Sequence, residues 1–232
     1  MGIKVVSLNS ASEIALLKSM YKRVEFVPVQ RDAREECGKP MVYLSDILGY
    51  LKNTGCEICG IINSDIVLRM PDGFLDFIED QARSMFLFAS RIDIDSEQDT
   101  TGTVYWGGFD FFLFHRNLIE SIPESRFCLG QPWWDYWFPI QAGSHYPLRI
   151  LATNFAYHTR HDMRWDTNNN YEKYGLHFME FFTDPPSFQL IQEMYNNNIQ
   201  EFRQFLGGKV CADCREKLYF AGTEWISYGK RM

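Results

Sequence analysis

Gly60-Ile61-Ile62-Asn63-Ser64-Asp65-Ile66-Val67-Leu68 is an apolar run of β-type residues broken by a short polar insert. It reads as a buried strand that ends by presenting a carboxylate at the edge of a sheet. In an open α/β sheet ligands bind in the crevice outside the carboxyl ends of the strands, which makes Asp65 a candidate metal or substrate ligand. A plain turn is the competing reading, because Asn and Asp side chains bond their own backbone readily.

The flanking sequence alternates strand and helix. Val5 to Asn9 is a first strand, and Ser10 with Glu13 fits a capping box opening a helix from Ile14 to Tyr21. Val24 to Val29 is a second strand, with Pro28 near its end, and Gln30 to Lys39 is a polar loop. Ser45 caps a helix ending near Gly55, Asp72 caps another through Ala82, and Met85 to Ala89 is a further buried strand. This alternation predicts an α/β sheet with parallel strands. A strand followed at once by a helix N-terminus is a usual place to hold a nucleotide.

Arg91 to Gly108 reads as a polar, mobile connection. Gly107-Gly108 then feeds the apolar strand Phe109 to Phe114, and a glycine pair lets a ligand approach the backbone, although a tight turn needs the same residues. Trp133, Trp134 and Trp137 with Tyr136 surround Asp135. Aromatic faces stack on sugar rings and a carboxylate among them gains a raised pKa suited to a general base, whereas a Trp-rich core with Asp135 as N-cap is the structural alternative. The strand from Ile150 ends in His158 and His161, two imidazoles where a sheet hands side chains to a cleft. From Tyr171 the chain reads as helical, with a break expected at Asn196 to Asn198 and a short final helix and tail from Lys209 to Arg231.

Composition limits the alternatives. A chain of 232 residues with 46% hydrophobic residues has enough apolar content for a full core, burying roughly 70% of its unfolded surface. A net charge of -7 argues against a nucleic-acid partner. There is no membrane-span pattern and no signal-peptide architecture at Met1-Gly2-Ile3-Lys4, so a cytoplasmic protein is expected. Two Cys-x-x-Cys pairs, Cys56 with Cys59 and Cys211 with Cys214, have the residues for a zinc site but not the usual spacing, and buried reduced thiols are expected.

The strand-helix start at Val5 to Tyr21, Asn63-Ser64-Asp65, Gly107-Gly108-Phe109-Asp110, Trp133-Trp134-Asp135 and Tyr157-His158-x-x-His161 occur in an order that resembles the GT-A glycosyltransferases. The resemblance covers roughly residues 3–182, and is to the small, membrane-free, inverting type that large DNA viruses also encode. It implies a GT-A, Rossmann-like mixed sheet flanked by helices over residues 1–184. A donor half would span about 1–90 and an acceptor half about 103–184, with a helical C-terminal extension over 185–232 packed on the same domain. It also implies a metal-assisted enzyme of glycan biosynthesis, moving a sugar from a UDP-, GDP- or dTDP-type donor to a glycan or glycoprotein hydroxyl.

By position, the family's Asp-x-Asp motif falls on Asn63-Ser64-Asp65, with Asn in place of the first Asp. Asp65, His158 and His161 would hold Mn2+ or Mg2+, and Asp135 would be the base. Leu8, Asn9, Arg31, Asn63, Ser64 and Asp65 would line the donor. Gly107, Gly108, Asp110, Trp133 and Trp134 would meet the acceptor. Two other functions fit part of the pattern: a non-catalytic carbohydrate-binding module, and a sugar nucleotidyltransferase. The second ordinarily needs a Gly-rich basic loop after the first strand, which Leu8-Asn9-Ser10-Ala11-Ser12 lacks.

Overall fold

The computed structural model describes residues 3–161 and 169–228. Met1 and Gly2, where the leader reading begins, and residues 229–232, the last three of the expected tail and the residue after it, lie outside them.

The chain opens with β1 (Val6–Asn9), α1 (Ala11–Leu17) and β2 (Glu25–Pro28), and β1 and β2 pair in parallel as a separate ribbon. The expected capping box is present: Ser10 accepts from the Glu13 amide while Glu13 reaches back to the Ser10 amide. After α2 (Arg34–Cys37) and α3 (Leu44–Asn53), the run around Asn63 splits into β3 (Ile58–Ile62) and β4 (Ile66–Leu68), which belong to different sheets. Helix α1 starts three residues before and ends four residues before the expected Ile14 to Tyr21, while the ends of α3 and α4 differ from expectation by a residue or two. Tyr43 and Gly73 are the N-caps where Ser45 and Asp72 were expected, the latter because Gly73 takes a φ of 76°.

Next come α4 (Phe74–Ala82), β5 (Phe86–Ala89), β6 (Ile92–Ile94), β7 (Thr103–Val104) and β8 (Phe111–His115). Residues 91–108 are therefore two strands and a pinned loop. Gly102 packs so closely on the β6 backbone that a side chain there would collide with it, while Arg69 donates to the Glu97 and Asp99 carbonyls. A 3-10 turn follows, then α5 (Trp134–Ala142), β9 (Leu148–Leu151) and β10 (Ala156–Thr159). The C-terminal part comprises α6 (Asn170–Phe182), α7 (Pro185–Asn197), α8 (Ile199–Phe205), α9 (Cys211–Glu216) with wide helical turns on either side, and β11 (Thr223–Ile226). Asn198 caps α8, so the asparagine run does break the helix.

The main sheet has the order β11-β9-β5-β8-β3, flanked by helices. It is mixed: β5, β9 and β11 run parallel, and β8 is antiparallel to both β5 and β3. The all-parallel expectation fails at β8 because the excursion through β6 and β7 returns the chain reversed. Along β5, Phe86 and Phe88 pack with α5 on one face while Leu87 and Ala89 pack with α4 on the other. A strand covered on both faces is apolar throughout, which is why it was legible as a continuous run. The C-terminal part is helical only in part, since β11 pairs with β9 and completes the sheet edge. The smaller sheet, β4-β10-β6-β7, lies at the end of this framework that carries the candidate site.

Among the described residues no helix is long and apolar enough to cross a membrane.

Candidate active site

His158 lies on β10 between two strands, in register with Ile66 of β4 on one side and Asp93 of β6 on the other. That register puts His158 next to Asp65, the residue before Ile66. His158 Nε2 is 3.5 Å from Asp65 Oδ2, His161 Nε2 is 3.4 Å from the same oxygen, and the two Nε2 atoms are 3.2 Å apart. The second ring nitrogen of His158 meets Asp93 Oδ1 at 3.0 Å, the carboxylate-imidazole support that orients a metal-binding histidine. His158 is buried, while Asp65 and His161 are exposed at the mouth.

Behind this cluster, Arg91 Nε donates to Asp93 at 2.8 Å and its Nη1 to Asp110 at 3.1 Å. Burial acts to lower the pKa of Arg91, but Asp110 and Asp93 outweigh it and hold the guanidinium charged. Burial pushes the Asp110 carboxyl up, opposed by Arg91 and by the Asn63 amide, which donates at 2.6 Å. Asn63 thus does not replace a metal-binding aspartate. Its side-chain nitrogen and backbone N–H both donate to Asp110, and its carbonyl accepts from Ile66, so it anchors the turn that presents Asp65. Ser64 is exposed beside it. Asp110 is likewise buried in this ion network rather than open to an acceptor.

Asp135 stands in the first turn of α5, and its Oδ2 accepts from Phe109 N–H at 3.2 Å. Part of the residue is open, yet its carboxyl is desolvated. Burial first, and the charge of Asp110 second, push its pKa up to about 7. Gly108 is required here because a Cβ would collide with Asp135 Oδ2, and Gly107 because a Cβ would collide with the Tyr105 ring. The carbonyls of Gly107 and Gly108 accept from Tyr136 and Tyr219, so the glycine pair lets the backbone lie against the carboxylate.

Trp133 and Trp134 do not meet a ligand. They are 1% and 2% exposed, and Trp133 spends its indole N–H on the Tyr171 carbonyl. Their faces are taken up by core partners such as Tyr171 and Phe112. Trp133 is itself the N-cap, with a φ of 78°, so Asp135 does not cap the helix.

At the N-terminal ribbon, an open concavity of about 410 Å3 lies at the carboxyl ends of β1 and β2, lined by Ser10, Gln30, Arg31 and Arg34 among others. Leu8 and Asn9, expected at the donor, do not line it: Leu8 is half-buried on β1 and Asn9 Oδ1 accepts from the Ser7 hydroxyl. Arg31 is exposed and paired with Asp46 at 2.9 Å. The Cys-x-x-Cys thiols do not gather into a metal-ligating group among the described residues. Cys59 and Cys214 are buried, and burial pushes their thiols up to about 11 and about 12.

No known protein family matches the chain, and no curated protein matches it. Among solved structures it is similar to HddC from Yersinia pseudotuberculosis at 13% identity and a TM-score of 0.36, over 78% of this chain and 80% of that one. A similarity this low adds nothing to the reading of the fold or the site.

Arg91 and Asp93 were not singled out by the sequence as site residues. Arg91 and Asp93 sit in a stretch whose polar composition resembles a loop, and only the β6–β10 pairing puts them behind His158.

Proposed function

We propose that this protein is a metal-assisted GT-A glycosyltransferase that moves a sugar from a nucleotide-diphosphate donor to a glycan or glycoprotein hydroxyl with inversion. The observation that carries this reading is the convergence of Asp65, His158 and His161, whose ligand atoms all lie within 4.8 Å of one another. Ligands about 2.1 Å from one ion and at right angles lie roughly 3 Å apart, so these separations fit a divalent cation with little movement. The Asp/His donor set favours Mn2+ over Mg2+, which takes oxygen ligands almost alone. Held by these three residues, such an ion would offset the charge that gathers on the leaving diphosphate.

The rest is done by the chain. With a pKa of about 7, Asp135 is ionised in a useful fraction at neutral pH and remains basic enough to take a proton. It accepts the proton of the acceptor hydroxyl as that oxygen attacks the anomeric carbon and the bond to the diphosphate breaks on the opposite face. The Phe109 N–H fixes the carboxylate for this task. The concavity beside Ser10 and Arg31 is the place for the nucleotide.

Thermal unfolding with UDP, GDP or dTDP, each with and without Mn2+, tests this reading. A ligand at 100 times its Kd adds about 2.7 kcal/mol, or roughly 5–10 °C in a chain of this size. One nucleotide should stabilise the protein only when Mn2+ is present, and Asp65→Ala should remove that metal-dependent part. The proposal fails if no nucleotide shows a metal-dependent shift.

A further inference from the structure

The main sheet opens at its carboxyl edge into a second cavity, of about 250 Å3. Its walls follow directly after the parallel strands: Ser90 to Ile92 after β5, and Ala152 to Phe155 after β9. β11 supplies Trp225, in register with Ile150 at the cavity floor. Trp106 completes the mouth. Trp106 and Trp225 are 50% and 45% exposed, in contrast to the buried Trp133 and Trp134, and their ring centroids lie 6.2 Å apart. Tyr219 backs Trp106 at 5.1 Å, and the Trp225 indole donates to the Tyr219 carbonyl at 2.8 Å, so the rings are held in place.

Size and charge narrow the occupant. The volume is below the roughly 300–1,000 Å3 of sites for larger ligands, which suits one ring and not a nucleotide. Arg91 lines the wall, but Asp93 and Asp110 already neutralise it, leaving no surplus charge for a phosphate. Ser90, Thr153 and Asn154 add hydroxyl and amide groups to two exposed aromatic faces. Flat apolar faces beside neutral hydrogen-bonding groups match a sugar ring, which has an apolar C–H face and a rim of hydroxyls.

We propose that this cavity is a subsite for a neutral pyranose of the acceptor, stacked on Trp106 and Trp225. The proposal rests on the glycosyltransferase reading only for the word acceptor. Trp106 is followed directly by Gly107 and Gly108, and the Tyr219 hydroxyl bonds the carbonyl of Gly108, the residue packed against Asp135. The cavity and the base therefore share one wall.

Saturation-transfer NMR with a panel of methyl pyranosides, in the absence of nucleotide and metal, tests it separately from donor binding. At least one pyranoside should bind the wild-type protein. Trp106→Ala should weaken that binding about ten-fold or more while Trp106→Phe recovers most of it. Because Trp106 is half exposed, both variants should unfold near the wild-type temperature. Absence of binding by every pyranoside, or equal binding by folded Trp106→Ala, overturns the proposal. Neither result would alter a metal-dependent nucleotide shift.

Discussion

A carboxyl group with a pKa near 7 leaves two separable traces. With a carboxyl pushed from 3.8 up to about 7 in the folded chain, Asp135 carries a penalty that is absent below about pH 3.8, grows between there and pH 7, and is full above 7. Asp135→Asn removes that penalty and keeps an oxygen for the Phe109 N–H. Stability at pH 8, measured by urea titration, should rise on the order of 1–3 kcal/mol. This is less than the roughly 4 kcal/mol of a three-unit shift because the residue is partly open. At pH 4 the variant and wild type should be nearly equal. Transfer should fall by two orders of magnitude or more, and wild-type kcat should climb as pH passes 7. A stability gain without lost transfer would deny Asp135 the role of base. At this scale the sequence was half legible. Asp65, His158, His161 and Asp135 could be selected by chemistry and position, whereas Asn63 and Asp110 hold each other and only the fold reveals that pairing.

The elements were legible where burial is symmetrical and illegible where pairing is long-range. β5 and β8 stood out as apolar runs because both faces are covered. β6, β7 and β11 are short and polar or half exposed, and exist because a neighbouring strand takes up their backbone. Element packing also fixes a glycine that has no part in the site. On α6, Gly175 faces Leu206, with the Trp133 indole nitrogen only 3.1 Å from where a Cβ would stand. Leu206 is fully buried, so any shift of its side chain is made against other core groups. Gly175→Ala, although it favours helix formation locally, should destabilise the protein by about 1–3 kcal/mol through overpacking, measured by denaturant unfolding. A neutral or stabilising effect would show that α6 has room for a methyl group against Leu206.

At the scale of the molecule, the C-terminal part is not an appendage. β11 covers the β9 edge, and Tyr228 beyond it donates to the Asp72 carbonyl at 2.7 Å and packs against Phe74 and Phe77. Ending the chain at Gly222 should cost on the order of 3 kcal/mol, a fall in Tm of roughly 6–12 °C by calorimetry, and should remove one wall of the aromatic cavity. An unchanged Tm would show that β11 and Tyr228 add little to the stability of the sheet. The register of His158 with Asp93 and Ile66 has a consequence in time as well as in space. Asp65, Asp93 and His161 are separated by long intervals of chain, and the strand that gathers them is among the last of the framework to be synthesised. Contacts of such sequence separation close late. A nascent chain can therefore lay down β5 and α4 early, but Asp65, Asp93 and the two histidines come together only once β10 has left the ribosome and slotted between β4 and β6.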